Sequence, residues 1–167
     1  MAGHYHSAEV DWTCAGDFAA NAYSRAHVWR FDGGLEVPAS ASPSVVPLPY
    51  SVEAAVDPEE ALVAAISSCH MMSFLHLARR ANLNVSGYRD RARGELNRVA
   101  RGRMAITKVV LRPEVTLAGG DEPDPARLSN LHEEAHGICF IANSVKCEIV
   151  VEPAPLRRVA PSRHADV

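Results

Sequence analysis

The chain has 167 residues, 47% of them hydrophobic, and a formal net charge of −3. That length suits one domain, and that composition can fill a core, which excludes disorder for the bulk of it. The mild acidity and the lack of a long basic run speak against nucleic acid as a partner. Met1-Ala2-Gly3-His4-Tyr5-His6 offers no basic segment followed by an apolar one, so no secretory signal is read and the cytoplasm is the expected location.

In chain order, residues 5–13 alternate Ala8, Val10 and Trp12 with Ser7, Glu9 and Asp11, the pattern of a half-buried strand. Residues 26–31 and 35–37 read as two strands joined by an Asp32-Gly33-Gly34 turn. Residues 38–56, rich in proline and serine, read as an extended loop long enough to be functional. Asp57-Pro58-Glu59-Glu60 then predicts a helix start: a capping aspartate, a proline in the first turn and acidic residues at the positive end of the helix dipole. That helix should run to about Ala81 and stop near Asn82. Its apolar stretch, Ala61 to Ala81, is interrupted by Ser67, Ser68, His70, His76, Arg79 and Arg80, so it is read as a buried core helix and not a membrane span. Arg79 and Arg80 should face solvent.

Residues 85–99 and 103–118 predict two long strands about a turn at Arg101-Gly102, with a phase shift between Ile106 and Val109 that suggests a bulge. Asp124-Pro125 starts a second helix, with Leu128, Leu131, Ala135, Ile138 and Cys139 as its apolar stripe. Residues 145–152 form a last strand. The order implies an α+β fold, antiparallel sheets packed on two central helices. A single domain over 1–153 with a mobile tail over 154–167, carrying Arg157, Arg158, Arg163 and His164, is expected.

Four cysteines are present: Cys14, Cys69, Cys139 and Cys147. No C-x-x-C pair occurs, which disfavours a thioredoxin-type site and a zinc ribbon. Cys69 and Cys139 fall on the apolar stripes of the two helices, so their thiols meet if the stripes share one core. By spacing alone, the favoured reading is that both are small buried hydrophobes. Peroxide chemistry would require a thiolate, a nearby cation and a second thiol to capture the sulfenic acid. Cys14 and Cys147 are read as packing residues.

Asp57-Pro58-Glu59-Glu60-Ala61-Leu62, continuing to Ser67-Ser68-Cys69-His70-Met71-Met72, resembles the first cysteine motif of the OsmC/Ohr family, the osmotically inducible and organic hydroperoxide resistance proteins. Ala135-His136-Gly137-Ile138-Cys139-Phe140-Ile141-Ala142-Asn143-Ser144-Val145-Lys146 resembles its second. Tyr23-Ser24-Arg25 followed by Phe31-Asp32-Gly33-Gly34 also fits. The resemblance implies that Cys69 attacks a peroxide and Cys139 resolves the sulfenic acid as a disulfide. It implies that Arg25 holds the thiolate and that Glu59 orients Arg25; Arg30 is the alternative arginine. It further implies an intertwined homodimer, organic or lipid hydroperoxides as substrates, and re-reduction by an external dithiol of the lipoyl type, with no resident cofactor or metal. Met71, Met72, Phe74, Phe140 and Ile141 are the candidate apolar lining.

Glu59 lies ten residues before Cys69, roughly 15 Å along a helix, so it can act on the thiol only through an intermediary such as Arg25. Two other readings stay open. His132-Glu133-Glu134-Ala135-His136 matches the H-E-x-x-H pattern of zinc hydrolases, and the fold could serve as a non-catalytic redox-sensing or ligand-binding domain. His70 is read as structural or partly exposed, not as a catalytic base.

Overall fold

Asp57, Pro58 and Glu60 build the helix start that their order predicts. Asp57 Oδ1 accepts from the Glu60 N–H at 2.7 Å, and Glu60 Oε2 accepts in return from the Asp57 N–H at 3.3 Å, a reciprocal capping box. In the computed structural model, which describes residues 3–118 and 123–159, the helix α1 spans Pro58–Arg80. It ends where Asn82 turns to φ +57° and the Leu83 N–H reaches back to the Ala78 carbonyl at 3.0 Å, the left-handed stop at which asparagine is tolerated.

The chain divides into two compact units, Met1–Leu62 and Val63–Val167. In the first, β1 (Ala8–Asp11), β4 (His27–Phe31) and β5 (Glu36–Ala39) form one antiparallel sheet in the order β1-β4-β5, and β2 (Gly16–Asp17) pairs with β3 (Ala22–Tyr23). The predicted Asp32-Gly33-Gly34 turn joins β4 to β5, with Gly34 at φ +83°. Gly16 is required at its place: its φ is +113°, and a Cβ there would stand 2.3 Å from the Ala22 carbonyl oxygen. β1 departs from expectation. All four of its residues are exposed, Val10 at 65%, because no layer of the described first unit covers either of its faces. The long loop after β5 is pinned at several points: the Ser40 N–H donates to the Val56 carbonyl, the Val52 N–H to Ser40 Oγ, and the Arg25 N–H to the Tyr50 carbonyl.

The second unit holds the rest of α1, α2 (Pro125–Ile138), a 3-10 turn at Ala142–Ser144 and two three-stranded sheets. Each long strand expected over 85–99 and 103–118 is broken in two: β6 (Val85–Asp90) and β7 (Arg93–Ala100), then β8 (Arg103–Leu111) and β9 (Pro113–Ala118). Asp90 makes both breaks coincide. Its Oδ1 accepts the Arg112 N–H and its Oδ2 the Ser67 hydroxyl, each at 2.6 Å. The bulge expected between Ile106 and Val109 is present: Glu95 faces Lys108 while Leu96 faces Ile106, leaving Thr107 as the extra residue.

The sheets are not wholly antiparallel. β10 (Glu148–Val151) runs parallel to β8, and β11 (Arg157–Val159) runs parallel to β9. Within the segment expected as a tail, residues 157–159 form the strand β11, the Ala154 N–H bonds the Pro113 carbonyl, and Leu156 packs on the core. Residues 160–167, with Arg163 and His164, lie outside the described residues.

Phe74, Ala78, Leu83, Val115, Leu117, Leu131 and Ala135 make the core of this unit. Of the predicted α2 stripe, Leu131, Ala135 and Cys139 are buried, whereas Ile138 is 47% exposed. By length and composition α1 is long and apolar enough to cross a bilayer. Here it carries Ile66, Cys69, His70, Phe74 and Ala78 as its buried face, while Arg79 and Arg80 are exposed as expected.

Candidate active site

On α1 the buried positions 66, 69, 70, 74 and 78 recur at helical spacing, and this places Cys69 on the packed side of the helix. Cys139 is the C-cap of α2, where the backbone turns extended (φ −70°, ψ 114°). The turn that follows clamps it. The Ala142 N–H points at Cys139 Sγ at 3.4 Å, and Asn143 Nδ2 donates to both the Gly137 and Cys139 carbonyls at 3.0 Å. The Ser144 hydroxyl bonds the Phe140 carbonyl at 2.7 Å.

All four cysteines are free, and Cys139 lies close enough to Cys69 for the one thiol to shift the titration of the other. They differ in access: Cys69 retains 9% exposure and Cys139 none. Burial, and then the hydrogen bond with Cys69, push the Cys139 thiol up to about 11, against the opposite pull of the Ala142 and Ile141 N–H groups. Cys139 is therefore a protonated thiol at neutral pH, able to donate to the Cys69 sulfur.

The other predicted residues sit as follows. Arg25, half-buried, donates from Nη2 to Asn21 Oδ1 at 2.6 Å and from Nη1 to the Tyr23 carbonyl, with its guanidinium carbon 3.6 Å from the Tyr23 ring centroid. Among the described residues no carboxylate pairs with it. It borders a cavity of about 420 Å³ lined also by Trp12, Phe18, Tyr23 and His27. Trp12, Phe18 and Tyr23 form an aromatic cluster with centroids 4.8 to 6.2 Å apart, which sequence periodicity did not signal. Arg30, the alternative, is held by Asp11 at 2.9 Å, Glu36 at 2.6 Å and Glu9 at 3.6 Å, and Asp11 and Glu36 raise its pKa further. Glu59 is half-buried in the first turn of α1; the capping role belongs to its neighbour Glu60.

Among the candidate lining residues, Met72 and Phe140 are exposed (60% and 81%) and Met71 and Ile141 half-buried. Phe74 belongs elsewhere: it is wholly buried, stacked on His132 with centroids 4.3 Å apart. Cys14 is exposed, not a packing residue, and Cys147 is half-buried.

His70 is buried, not partly exposed, and meets His132 from α2: Nε2 of His70 lies 3.1 Å from Nδ1 of His132. The ring planes are 7° apart and the centroids 5.4 Å apart, so the rings lie edge to edge in a shared plane, as an N–H···N bond requires. Burial lowers both to about 4, His136 further lowering His70 and His70 further lowering His132. Both imidazoles are neutral at pH 7, with one proton between them. This accounts for His132 in the H-E-x-x-H match as a packed core histidine. Among the described residues no group of three or more His, Cys, Asp or Glu side chains is arranged to hold a metal ion. The pairing was out of reach of sequence spacing; the only signal was a histidine beside each cysteine motif.

Residues 51–154 match the family model described as OsmC-like protein. An OsmC-like protein of unknown function from Vibrio cholerae shares 51% identity over 91% of this chain and 100% of its own, with a TM-score of 0.88. An organic hydroperoxide resistance protein from Elizabethkingia anophelis (16% identity, 95% and 99% coverage, TM-score 0.63) and the organic hydroperoxide resistance protein OsmC from Legionella pneumophila (15%, 95% and 100%, 0.62) share the fold. No curated protein matches the chain in sequence.

Proposed function

The chain belongs to the OsmC-like protein family, and from that premise we propose that it is a thiol peroxidase that reduces organic hydroperoxides. One observation carries the reading: two free, neighbouring cysteines, on α1 and at the end of α2, with Cys139 wholly buried and protonated and Cys69 keeping 9% exposure. Neither cysteine is committed to a disulfide, so the pair is available for redox chemistry.

In the proposed cycle the Cys69 thiolate attacks the distal peroxide oxygen. The O–O bond breaks, and the alkoxide takes a proton and leaves as an alcohol. The Cys69 sulfenic acid then condenses with the Cys139 thiol, releasing water and forming the disulfide. An external dithiol, of the lipoyl type by family resemblance, reopens the bridge by exchange and is itself oxidised. No resident cofactor is needed. Arg25 is the arginine assigned to hold the thiolate and polarise the peroxide; the resemblance gives Glu59 the task of orienting it, though among the described residues no ion pair joins the two in the single chain. Arg25 lacks a carboxylate partner among the described residues, whereas Arg30 has three, and this favours Arg25. Exposed Met72 and Phe140 favour an alkyl or lipid hydroperoxide over hydrogen peroxide.

The proposal includes a cytoplasmic homodimer. Apolar side chains left open on the single chain, among them Val10, Phe18, Met72 and Phe140, are what a partner copy would cover.

The test is a non-reducing peptide map after one equivalent of tert-butyl hydroperoxide, with Cys69→Ser as control. Rapid Cys69–Cys139 disulfide formation, absent in the variant, is expected. Two thiols that stay free would sink the peroxidase reading in favour of a non-catalytic domain.

A further inference from the structure

Away from the thiols, the second unit contains a cavity of about 560 Å³, inside the range of small-molecule sites. Pro113, Pro125 and Pro155 stiffen its wall, Leu128 and Leu156 add apolar surface, and His132 lines it as well. Prolines hold their backbone at fixed φ, so this shape exists before any ligand arrives. Among the described residues no charged side chain lines the cavity. Its most deeply buried polar group is the His132 ring, 3% exposed, with Nδ1 engaged by His70. Nε2 is therefore the nitrogen left to meet a ligand.

We propose that this cavity is a binding site for a small, uncharged apolar molecule bearing one hydroxyl, with the apolar body against the proline wall and the hydroxyl on His132 Nε2. The chemistry selects that head group. A cation or a carboxylate would find no counter-charge among the described lining residues and would have to shed its water. His132 and His70 are both neutral at pH 7, so they supply no such charge. If His70 donates to His132, then His132 presents an N–H to the cavity; if the shared proton belongs to His132, it presents a lone pair. A hydroxyl can accept in the first case and donate in the second. A carbonyl or an ether could serve only the first. The site lies on the α2 side of the imidazole pair, and its assignment stands apart from turnover at Cys69.

The probe is 2-phenyl-2-propanol, titrated into full-length reduced protein and followed by the ¹⁵N shifts of the histidine ring nitrogens. Saturable binding at one site per chain is expected, with the shift centred on His132. Isopropylbenzene, the same body without the hydroxyl, should bind about two- to tenfold more weakly, the loss of one buried hydrogen bond. Ala154→Trp, which fills the cavity from its wall, should abolish binding while Cys69 still oxidises with peroxide. Absence of saturable binding, equal affinity for the two probes, or binding unchanged in Ala154→Trp would overturn the assignment. Should Ala154→Trp fail to fold, the probe pair on the unaltered protein still decides.

Discussion

Cys69 and His70 are consecutive residues of α1, and each meets a like partner from the α2 region, Cys139 and His132. In the sulfur pair both members are buried, Cys139 wholly and Cys69 with 9% exposure left. The imidazole pair is sealed, both rings below 4% exposure. Burial pushes Cys139 and both histidines toward neutrality, raising the thiol and lowering the imidazoles. For the histidines neutrality fixes one hydrogen bond between the helices, Nε2 of His70 to Nδ1 of His132, and leaves His132 Nε2 toward the cavity. For the thiols it divides labour, because the sealed sulfur keeps its proton while the accessible one can meet a reagent. Adjacent positions on one helix thus acquire different tasks through access alone.

The largest expected effect separates the two sulfurs. Cys69→Ser should lower peroxidase turnover on the order of 10³-fold or more, the scale of losing a nucleophile. Cys139→Ser should leave the first oxidation intact: a dimedone adduct on Cys69 should accumulate, while multiple turnover with a dithiol stops. If Cys139→Ser also blocked the adduct, the division of labour between the sulfurs would be wrong. Next, Arg25→Ala should slow Cys69 oxidation by roughly 10²-fold, against little change for Arg30→Ala; stopped-flow oxidation rates of the two variants decide between the arginines.

The imidazole pair should show itself in stability. His132→Ala removes a buried ring and orphans His70 Nε2, a loss of about 2–4 kcal/mol by chemical denaturation. Acid should act on the same pair. Both folded pKa values are depressed from 6.5 to about 4, so the unfolded chain binds protons that the folded chain refuses. The stability is full above about pH 6.5 and falls as the pH drops through the window toward 4. Melting temperature against pH should follow that slope, and His132→Phe should flatten it. The smallest effect belongs to Ser67→Ala, which removes one hydrogen bond to Asp90 and should cost about 1–2 kcal/mol with the thiol cycle unchanged.

What the sequence disclosed and what it withheld divide along the same line. The α1 start was legible because its capping box uses residues three apart, and the Thr107 bulge because it shifts a local alternation. The motifs around Cys69 and Cys139 were legible through resemblance, and the fold followed. The His70–His132 bond joins residues 62 apart, and nothing local foretells it. The two strand breaks escaped because a single carboxylate, Asp90, serves Ser67 and Arg112 at once. The parallel pairing of β10 and β11 escaped because strand direction is set by crossovers, not by alternation. β1 carried the alternation of a covered strand, yet its faces are bare in the single chain.

The placement of the two reactive sulfurs has a mechanical corollary. A Cys69–Cys139 bond would tie the middle of one helix to the end of the other and close a loop of about 70 residues. In the chain-entropy account a closure of that size removes roughly 4 kcal/mol of freedom from the unfolded chain. Oxidant would then act as a reversible staple, and the melting temperature of the protein would serve as a gauge of how far the thiol pool around it has been spent.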